Sequence, residues 1–146
     1  ELAHERSHHE LRIDALMSEI AVELARAAPA KVRGSTGASV PAAVTEALEF
    51  IEQHAAESVS LVDVAAAVGR APAYLTTLLT EHTGRSVVQW ITHGRMAIAR
   101  QLLRSSDEQI AVIAELVGYG SPSHFHRTFR REHSVTPAQW RRAHRR

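Results

Sequence analysis

One pattern of apolar residues occurs twice in this chain of 146 residues. Five positions recur after an offset of 49, where Leu61, Val64, Ala65, Val68 and Gly69 are followed by Ile110, Ile113, Ala114, Val117 and Gly118. After one inserted residue the offset is 50, and Pro72, Leu75, Leu79 and Gln89-Trp90 are followed by Pro122, Phe125, Phe129 and Gln139-Trp140. Such a repeat indicates that one small structural unit is built twice.

The spacing of apolar residues predicts that these units are helical. From Pro41 onward apolar residues recur every three or four positions, and no stretch alternates with a period of two for long enough to form a sheet. Helix-starting residues and helix-ending glycines divide this region; they are Ser60 with Asp63, Ser86, Asp107 and Thr136-Pro137, and Gly69, Gly84 and Gly118. We therefore predict an all-α fold with seven short helices, the longest over about residues 87–103.

The composition changes near residue 40. Residues 10–28 carry an apolar stripe with helical spacing, which predicts an amphipathic helix. Residues 29–41 contain two prolines and two glycines, which is typical of a flexible linker or exposed loop. The predicted organisation is a helix and linker over 1–40 and a tandem unit over 41–146, with a first unit at about 44–84, a linking helix at about 87–104 and a second unit at about 107–144.

Each unit has the pattern of a helix-turn-helix. A small residue, Ala65 or Ala114, lies in the first helix, and a glycine-containing turn and a second apolar-faced helix follow. The alanine lets the second helix cross closely and the glycine allows the turn. A single copy fits a plain corner between two helices equally well. Two matching copies, joined by one long amphipathic helix, favour a tandem helix-turn-helix.

Charge is segregated along the chain. Residues 1–81 carry 6 basic and 12 acidic residues, a net charge of −6, whereas residues 82–146 carry 11 and 4, a net charge of +7. This distribution suggests an anionic partner for the C-terminal part, and nucleic acid is the commonest such partner of a helical protein. A solvated basic tail is the alternative interpretation.

Three stretches carry a family resemblance. They are IEQHAAESVSLVDVAAAVGRAPAYLTTLLTEHTGRS, RMAIARQLL and IAVIAELVGYGSPSHFHRTFRREHSVTPAQWR. Together they resemble the DNA-binding domain of the AraC/XylS family of bacterial transcription regulators, over about residues 44–142. The resemblance implies two helix-turn-helix subdomains bridged by a rigid helix, and an effector-binding or dimerisation domain outside this chain. The chain begins with Glu1 and not with methionine, so we expect it to be part of a longer protein.

The second helix of each unit has an outer face with the spacing i, i+3, i+4, i+7. The members of these faces are Ala73, Thr76, Thr77 and Thr80 in the first unit and Ser123, His126, Arg127 and Arg130 in the second. By the resemblance both faces lie in the major groove, and the predicted base-reading residues are Ala73, Thr76, Thr77, Ser123, His126 and Arg127. Arginine can donate two hydrogen bonds to guanine, and threonine and alanine can contact thymine methyls.

The two faces differ in charge. The family often has arginine where Thr77 stands and lysine where Thr80 stands, so we expect the second unit to supply most of the affinity. Phosphate contacts are predicted for residues that flank the outer faces or lie at nearby helix ends; they are Thr80, Arg85, Arg130, Arg131, Arg141 and Arg142. Arg95 fits either a core-bordering ion pair or a backbone contact.

Two positions depart from the family pattern. Ser134 stands where glycine usually stops the recognition helix, and Gln109 stands where a serine or threonine cap is common. Trp90 and Trp140 occupy equivalent positions after glutamine, and we expect both to close the hydrophobic core.

Several other classes of protein are disfavoured. Without cysteine there is no disulfide, thiolate zinc site or cysteine nucleophile. No phosphate loop, G-x-S-x-G elbow or paired-histidine zinc motif occurs, so we expect no enzymatic activity. Of the ten histidines, His4 and His8 lie one helical turn apart without a third ligand, so we expect no metal site and no cofactor.

The predicted partner is double-stranded DNA, with RNA polymerase as a further candidate. No apolar run approaches the ~18 residues that span a bilayer, so we expect no membrane association and a cytoplasmic location. The competing interpretation is a helical protein–protein interaction module with an arginine-rich surface. A steep loss of DNA affinity with salt, together with a preference for one sequence, distinguishes the two.

Overall fold

A computed structural model describes residues 40–145 of the chain. Helices account for most of this part; they are α1 Ala42–His54, α2 Leu61–Ala67, α3 Pro72–Thr83, α4 Val87–Ser105, α5 Ile110–Leu116, α6 Pro122–His133 and α7 Pro137–His144. No strand occurs between residues 40 and 145, and the predicted all-α fold is confirmed. The predicted helix over residues 10–28 and the linker up to residue 39 lie outside the described residues.

Capping boxes start three of the helices. Ser60, Ser86 and Thr136 each accept a hydrogen bond from the backbone amide three residues later, and the side chain at that position accepts one from the cap's own amide. These bonds satisfy amides that lack partners within the helix. At Ser60 the partner is the Asp63 carboxylate, and the hydrogen bonds from Ser60 lower the pKa of Asp63. The three predicted helix starts are confirmed.

The predicted start of α5 at Asp107 is wrong. Residues 106–109 are not helical, and α5 begins at Ile110 with Gln109 as its N-cap residue and without a side-chain cap. The Asp107 carboxylate does not cap this helix and pairs with Arg145 instead. The absence of a side-chain cap agrees with the departure noted at Gln109.

Two hydrophobic cores share α4. The start of α4 packs with α1, α2 and α3, and its remainder packs with α5 and α7. Fully buried side chains fill each core; they include Val44, Val64, Leu75 and Leu79 in the first, and Leu103, Ile113, Phe125 and Phe129 in the second. The 19 residues of α4 make it about 28 Å long at 1.5 Å per residue. The two helix-turn-helix units are therefore joined by one continuous helix.

The turns inside the two units have the same hydrogen bonds. In the first, the amide of Arg70 donates to the carbonyl of Ala65 at 3.0 Å, and in the second, the amide of Tyr119 donates to the carbonyl of Ala114 at 2.9 Å. These bonds close the end of the preceding helix as a left-handed cap does. As a result, α3 and α6 begin at equivalent points after equivalent turns.

Residues with positive φ mark the turns and the ends of the two second helices. Gly69 and Gly118 have φ values of +64° and +89°, and Gly84, which ends α3, has φ +78°. At the equivalent end of α6 stands Ser134 with φ +61°, the only residue other than glycine with positive φ among residues 40–145. Glycine adopts this conformation without the steric cost that a side chain brings.

Within residues 40–145, no helix is both long enough and apolar enough to cross a membrane.

Candidate nucleic-acid interface

The outer face of α6 is held outward by the packing of the opposite face. Phe125 and Phe129 are fully buried, and Thr128 is 3% exposed. Because side chains on one helix face recur at three and four residues, this packing leaves the other face in solvent. The exposed residues there are Ser123, His126, Arg127 and Arg130, which we call the α6 reading face.

The α6 reading face presents cations without counter-charges. Among residues 40–145 no carboxylate pairs with Arg127 or Arg130. The ring of His126 lies edge-on to that of Phe125, with centroids 6.1 Å apart. Two guanidinium groups are therefore free to bind an anion or the acceptor edge of a base.

The equivalent face of α3 carries no charge. Leu75 and Leu79 are fully buried on the inner side. The outer residues are Ala73, Thr77 and Thr80, which are exposed, and the half-buried Thr76, and we call these four the α3 reading face. The predicted register of both reading faces is thus the observed one.

Two hydroxyl groups of the α3 reading face are engaged within the helix. Thr77 Oγ1 donates to the carbonyl of Ala73 at 3.1 Å, and Thr80 Oγ1 donates to the carbonyl of Thr76 at 2.8 Å. A hydroxyl has one hydrogen to donate, so each group retains only its two acceptor lone pairs and the neighbouring methyl group. Thr77 and Thr80 therefore offer methyl groups and acceptors, whereas the α6 reading face offers charged donors.

The predicted phosphate-binding residues have different environments. Arg130 and Arg142 are exposed, and Arg131 Nε donates to Glu132 Oε1 at 3.1 Å, where both side chains remain accessible. The guanidinium of Arg85 lies 5.0 Å from the centre of the Trp90 ring. These four arginines keep donors that can reach solvent.

The side chain of Arg141, predicted to contact phosphate, is hydrogen-bonded within the protein. Its Nη2 donates to the carbonyl of Glu108 at 2.6 Å, and its Nε lies 3.4 Å from the carbonyl of Leu103. The end of a helix leaves carbonyl groups without partners, and Arg141 supplies donors to the end of α4 and the following loop. We therefore remove Arg141 from the set of phosphate contacts.

Among residues 40–145 Arg95 forms no ion pair, and its guanidinium is bound by main-chain carbonyls of the protein. Its Nε donates to the carbonyl of Ala55 at 2.8 Å, and its Nη2 donates to the carbonyl of Glu57 at 2.9 Å. The guanidinium lies 5.3 Å from the centre of the Tyr119 ring. Burial lowers the pKa of Arg95, but the guanidinium stays charged at neutral pH. Its partners are main-chain carbonyls of the protein.

Two exposed residues near the reading faces were missed. Tyr74 is 54% exposed on α3 directly beside Ala73, and Arg70 is exposed in the turn before α3. Tyr74 stands next to a buried leucine, so apolar spacing alone does not assign it to either face. An aromatic ring with a hydroxyl group and a guanidinium group at the start of a recognition helix are both suited to contact a sugar–phosphate backbone.

An open polar cleft lies between the start of α4 and the end of α6. Its volume is about 380 Å³, and Arg85, Thr92, Arg131 and Glu132 are among its lining residues. Nowhere among residues 40–145 do three or more histidine, aspartate or glutamate side chains come close enough together to hold a metal ion.

Comparison with known proteins gives matches over the same region. A family model described as a helix-turn-helix domain matches residues 64–143, which is more than half of the chain. The regulatory protein PocR of Salmonella typhimurium is 36% identical over 96 residues, which are 66% of this chain and 32% of PocR. The chain spans about a third of the length of the curated relatives it matches.

Two solved structures show the same fold. A transcriptional regulator from Chromobacterium violaceum, described as containing an AraC-type DNA-binding domain, has a TM-score of 0.65 at 29% identity, covering 70% of this chain and 91% of that chain. The DNA-binding domain of the global transcriptional factor AdpA, solved in complex with a target DNA, has a TM-score of 0.65 at 26% identity, covering 68% of this chain and 90% of that chain.

Proposed function

The chain belongs to the AraC/XylS family of helix-turn-helix transcription regulators, and from that premise we propose that residues 41–146 form a tandem domain that binds a specific sequence of double-stranded DNA. The observation that carries this proposal is the repetition of an exposed outer face on α3 and α6, each starting after the same turn. The second helix of a helix-turn-helix lies in the major groove. The protein would act as a bacterial transcription regulator.

Base reading in the second half-site is assigned to the α6 reading face. Arg127 is exposed and has no ion-pair partner among residues 40–145, so it can donate two hydrogen bonds to one guanine. His126 can donate or accept, and Ser123 can reach either kind of base edge. Together they favour a half-site that contains guanine.

Base reading in the first half-site is assigned to Ala73, Thr76 and Thr77. The side chain of alanine is a methyl group, and Thr77 has given its hydroxyl hydrogen to the Ala73 carbonyl. The methyl groups of Ala73 and Thr77 suit the thymine methyl group, and these three residues supply no charged donor to guanine. The first unit therefore contributes preference for a base, and the second contributes most of the affinity.

Phosphate contacts are assigned to Arg85, Arg130, Arg131 and Arg142, with Arg70 and Tyr74 added from the structure. Each positions the protein on the duplex without reading its sequence. Thr80 loses support as a phosphate ligand, because its hydroxyl hydrogen is donated to Thr76 and a phosphate oxygen needs a donor.

The two units are proposed to read one duplex together. Successive major-groove segments on one side of DNA lie about 34 Å apart. A helix of about 28 Å with a unit at each end has the length to hold two recognition helices at that separation. A slight bend in the DNA would complete the fit.

A gel-shift titration tests the proposal. Random duplexes are first selected for binding, and the selected duplex is compared with a scrambled duplex in moderate salt and at a threefold higher salt concentration. We expect at least about a hundredfold preference for the selected duplex and a steep fall of affinity with salt. Equal binding of both duplexes, or no binding, would contradict the proposal.

The function proposed for the whole protein follows from the family. An effector-binding or dimerisation domain would lie outside this chain, with residues 1–40 as the connection. RNA polymerase is the candidate partner of the DNA-bound protein, and a regulator of chromosomal genes would work in the cytoplasm of a bacterium.

A further inference from the structure

The two units are connected at a second place besides α4. The loop after α1, residues 55–59, lies against the turn between α5 and α6, at Gly118. The side chain of Arg95, near the middle of α4, contacts both of these segments. We call this contact of loop, arginine and turn the junction.

The loop side of the junction belongs to both cores. Ala55 is 1% exposed and is part of the first core, where its Cβ would lie 3.0 Å from a Cβ added at Gly94. The next residue, Ala56, packs against the second core. Two consecutive residues of one loop thus contact the two units separately.

Arg95 holds this loop by its backbone. Three carbonyls face the guanidinium and Nε, namely those of Ala55 at 2.8 Å, Glu57 at 2.9 Å and Val59 at 3.4 Å. Hydrogen bonds from a charged donor are stronger than neutral ones, and partial burial strengthens them further. Several bonds from one planar group fix both the position and the direction of the loop.

The turn side of the junction leaves no room for a side chain at Gly118. A Cβ added at Gly118 would lie 2.9 Å from the carbonyl oxygen of Glu57, 3.0 Å from that of Ala56 and 3.1 Å from Arg95 Nε. Next to it, the ring of Tyr119 lies beside the Arg95 guanidinium and is 4% exposed. The backbone of the second turn therefore sits directly against the backbone of the first unit.

We propose that Arg95 is a positioning residue that fixes the orientation of α6 relative to α3 and thereby determines which half-site spacing the domain accepts. A single shared helix can bend and twist along its length. A second connection off the helix axis removes that freedom, so the second recognition helix arrives at its half-site already aligned. The part of this inference that concerns half-site spacing rests on the proposed function, and the part that concerns the orientation of the two helices does not.

A distance measurement tests the junction without DNA. The chain has no cysteine, so exposed cysteines introduced as Val62→Cys in α2 and Val112→Cys in α5 carry spin labels at defined places. We expect one narrow distance distribution with Arg95 present and one at least about twice as wide with Arg95→Gln. An equal width in both proteins would overturn the inference.

A spacing series tests the consequence for DNA. The full chain is titrated with a selected composite site, with the same site carrying one or two inserted base pairs, and with a fragment that has only the α6 half-site. Arg95→Gln should weaken binding to the composite site about tenfold, reduce the loss caused by insertions and leave binding to the single half-site within about twofold. A uniform loss across all four duplexes, or no loss, would overturn the inference.

Matched variants separate positioning from folding. Arg104→Gln removes an exposed arginine from the end of the same helix and should behave like the unmodified chain in both tests. If Arg95→Gln does not fold, Arg95→Lys replaces it, because lysine keeps the charge but has a single nitrogen in place of the planar fork of donors. Failure of the unmodified chain to prefer any duplex would contradict the proposed function and leave the distance measurement to decide the inference.

Discussion

The indole N–H of Trp90 donates a hydrogen bond to Thr83 Oγ1 at 2.8 Å. The repeat places His133 at the position equivalent to Thr83 and Trp140 at that of Trp90, but there the indole nitrogen of Trp140 is buried and has no hydrogen-bond partner among residues 40–145. His133 instead lies beside the Trp140 ring, with ring centroids 5.3 Å apart. The same structural position is held by a hydrogen bond in the first unit and by ring contacts in the second.

Replacing Thr83 with valine should destabilise the first unit. The buried Thr83 hydroxyl also donates to the Leu79 carbonyl at 2.7 Å, and valine keeps the shape of the side chain while removing this oxygen. The Trp90 N–H would be left buried without a partner, which costs about 1–3 kcal/mol in the free energy of unfolding. Urea denaturation measures this loss. As a control, Thr80→Val on the exposed face should change the free energy of unfolding by less than about 0.5 kcal/mol. Equal effects of the two variants would contradict this account.

A second prediction exchanges the residues that end α3 and α6. Ser134 has φ +61°, so Ser134→Gly should relieve the strain and raise the free energy of unfolding by about 0.5–1 kcal/mol. The converse variant, Gly84→Ser, should lower it by a similar amount, since no atom crowds Gly84 and only its φ of +78° matters. Thermal unfolding of both proteins checks the opposite signs. A loss of stability in Ser134→Gly would show that other contacts of the serine dominate.

A third prediction concerns the difference between the two reading faces. Arg127→Ala should weaken binding to the selected duplex by about 1–3 kcal/mol and relax the base preference at one position. Thr77→Ala should cost less, because the Thr77 hydroxyl is already donated to Ala73 and only methyl contact is lost. Parallel titrations give both values, and Arg104→Gln serves as the control.

Thymine-to-uracil replacement gives an independent check on this difference. Removing the 5-methyl group in the first half-site should weaken binding, whereas the same change in the second half-site should have little effect. If Thr77→Ala weakened binding as much as Arg127→Ala did, the assigned division of roles would be wrong.

A fourth prediction is a pH dependence that originates at His133. Burial lowers the pKa of His133, and the nearby charge of Arg100 lowers it further, against an opposing hydrogen bond with the Phe129 carbonyl and the charge of Glu132. Arg100 Nη1 lies 2.9 Å from His133 Nε2, so this nitrogen must accept, and Nδ1 must donate to the Phe129 carbonyl at 3.1 Å. The folded protein therefore favours the neutral ring.

The sign follows from linkage. The pKa of His133 is lower in the folded protein than its ordinary value of 6.5, so the unfolded protein binds this proton first as the pH falls. The stability that the neutral His133 ring contributes is therefore fully present above pH 6.5 and is lost as the pH falls from there through the folded pKa. Urea unfolding at several pH values on both sides of 6.5 measures the slope, and His133→Gln should make it shallower. A steeper slope in His133→Gln would contradict this assignment.

Most of the fold follows from local rules that the sequence displays directly. Ser60, Ser86 and Thr136 start helices because each cap and its partner lie within four residues of chain. Side chains on one face of a helix recur every three or four residues, and this spacing predicts that Phe125 is buried and that Arg127 is exposed. Asp107 shows where this local reasoning fails. Aspartate is a common N-cap residue, but the helix begins at Ile110 with Gln109 as its N-cap.

The roles of the arginines depend on contacts between distant parts of the chain. Arg141 and Arg127 are both cations near the C-terminus, and net charge alone assigns both to DNA. The structure separates them, because carbonyl groups at the end of α4 and in the following loop lie beside Arg141, while no carboxylate among residues 40–145 pairs with Arg127. Arg95 differs for the same reason, since its partners are 36 to 40 residues away.

Hydroxyl-radical footprinting on the selected duplex tests most directly whether two recognition helices read one DNA. The account predicts two protected segments on one side of the duplex, separated by about one helical turn of 10 base pairs. The segment bound by α6 should be more strongly protected than the segment bound by α3. Arg127→Ala should weaken that segment first. A single protected segment, or two segments on opposite sides of the duplex, would contradict the account.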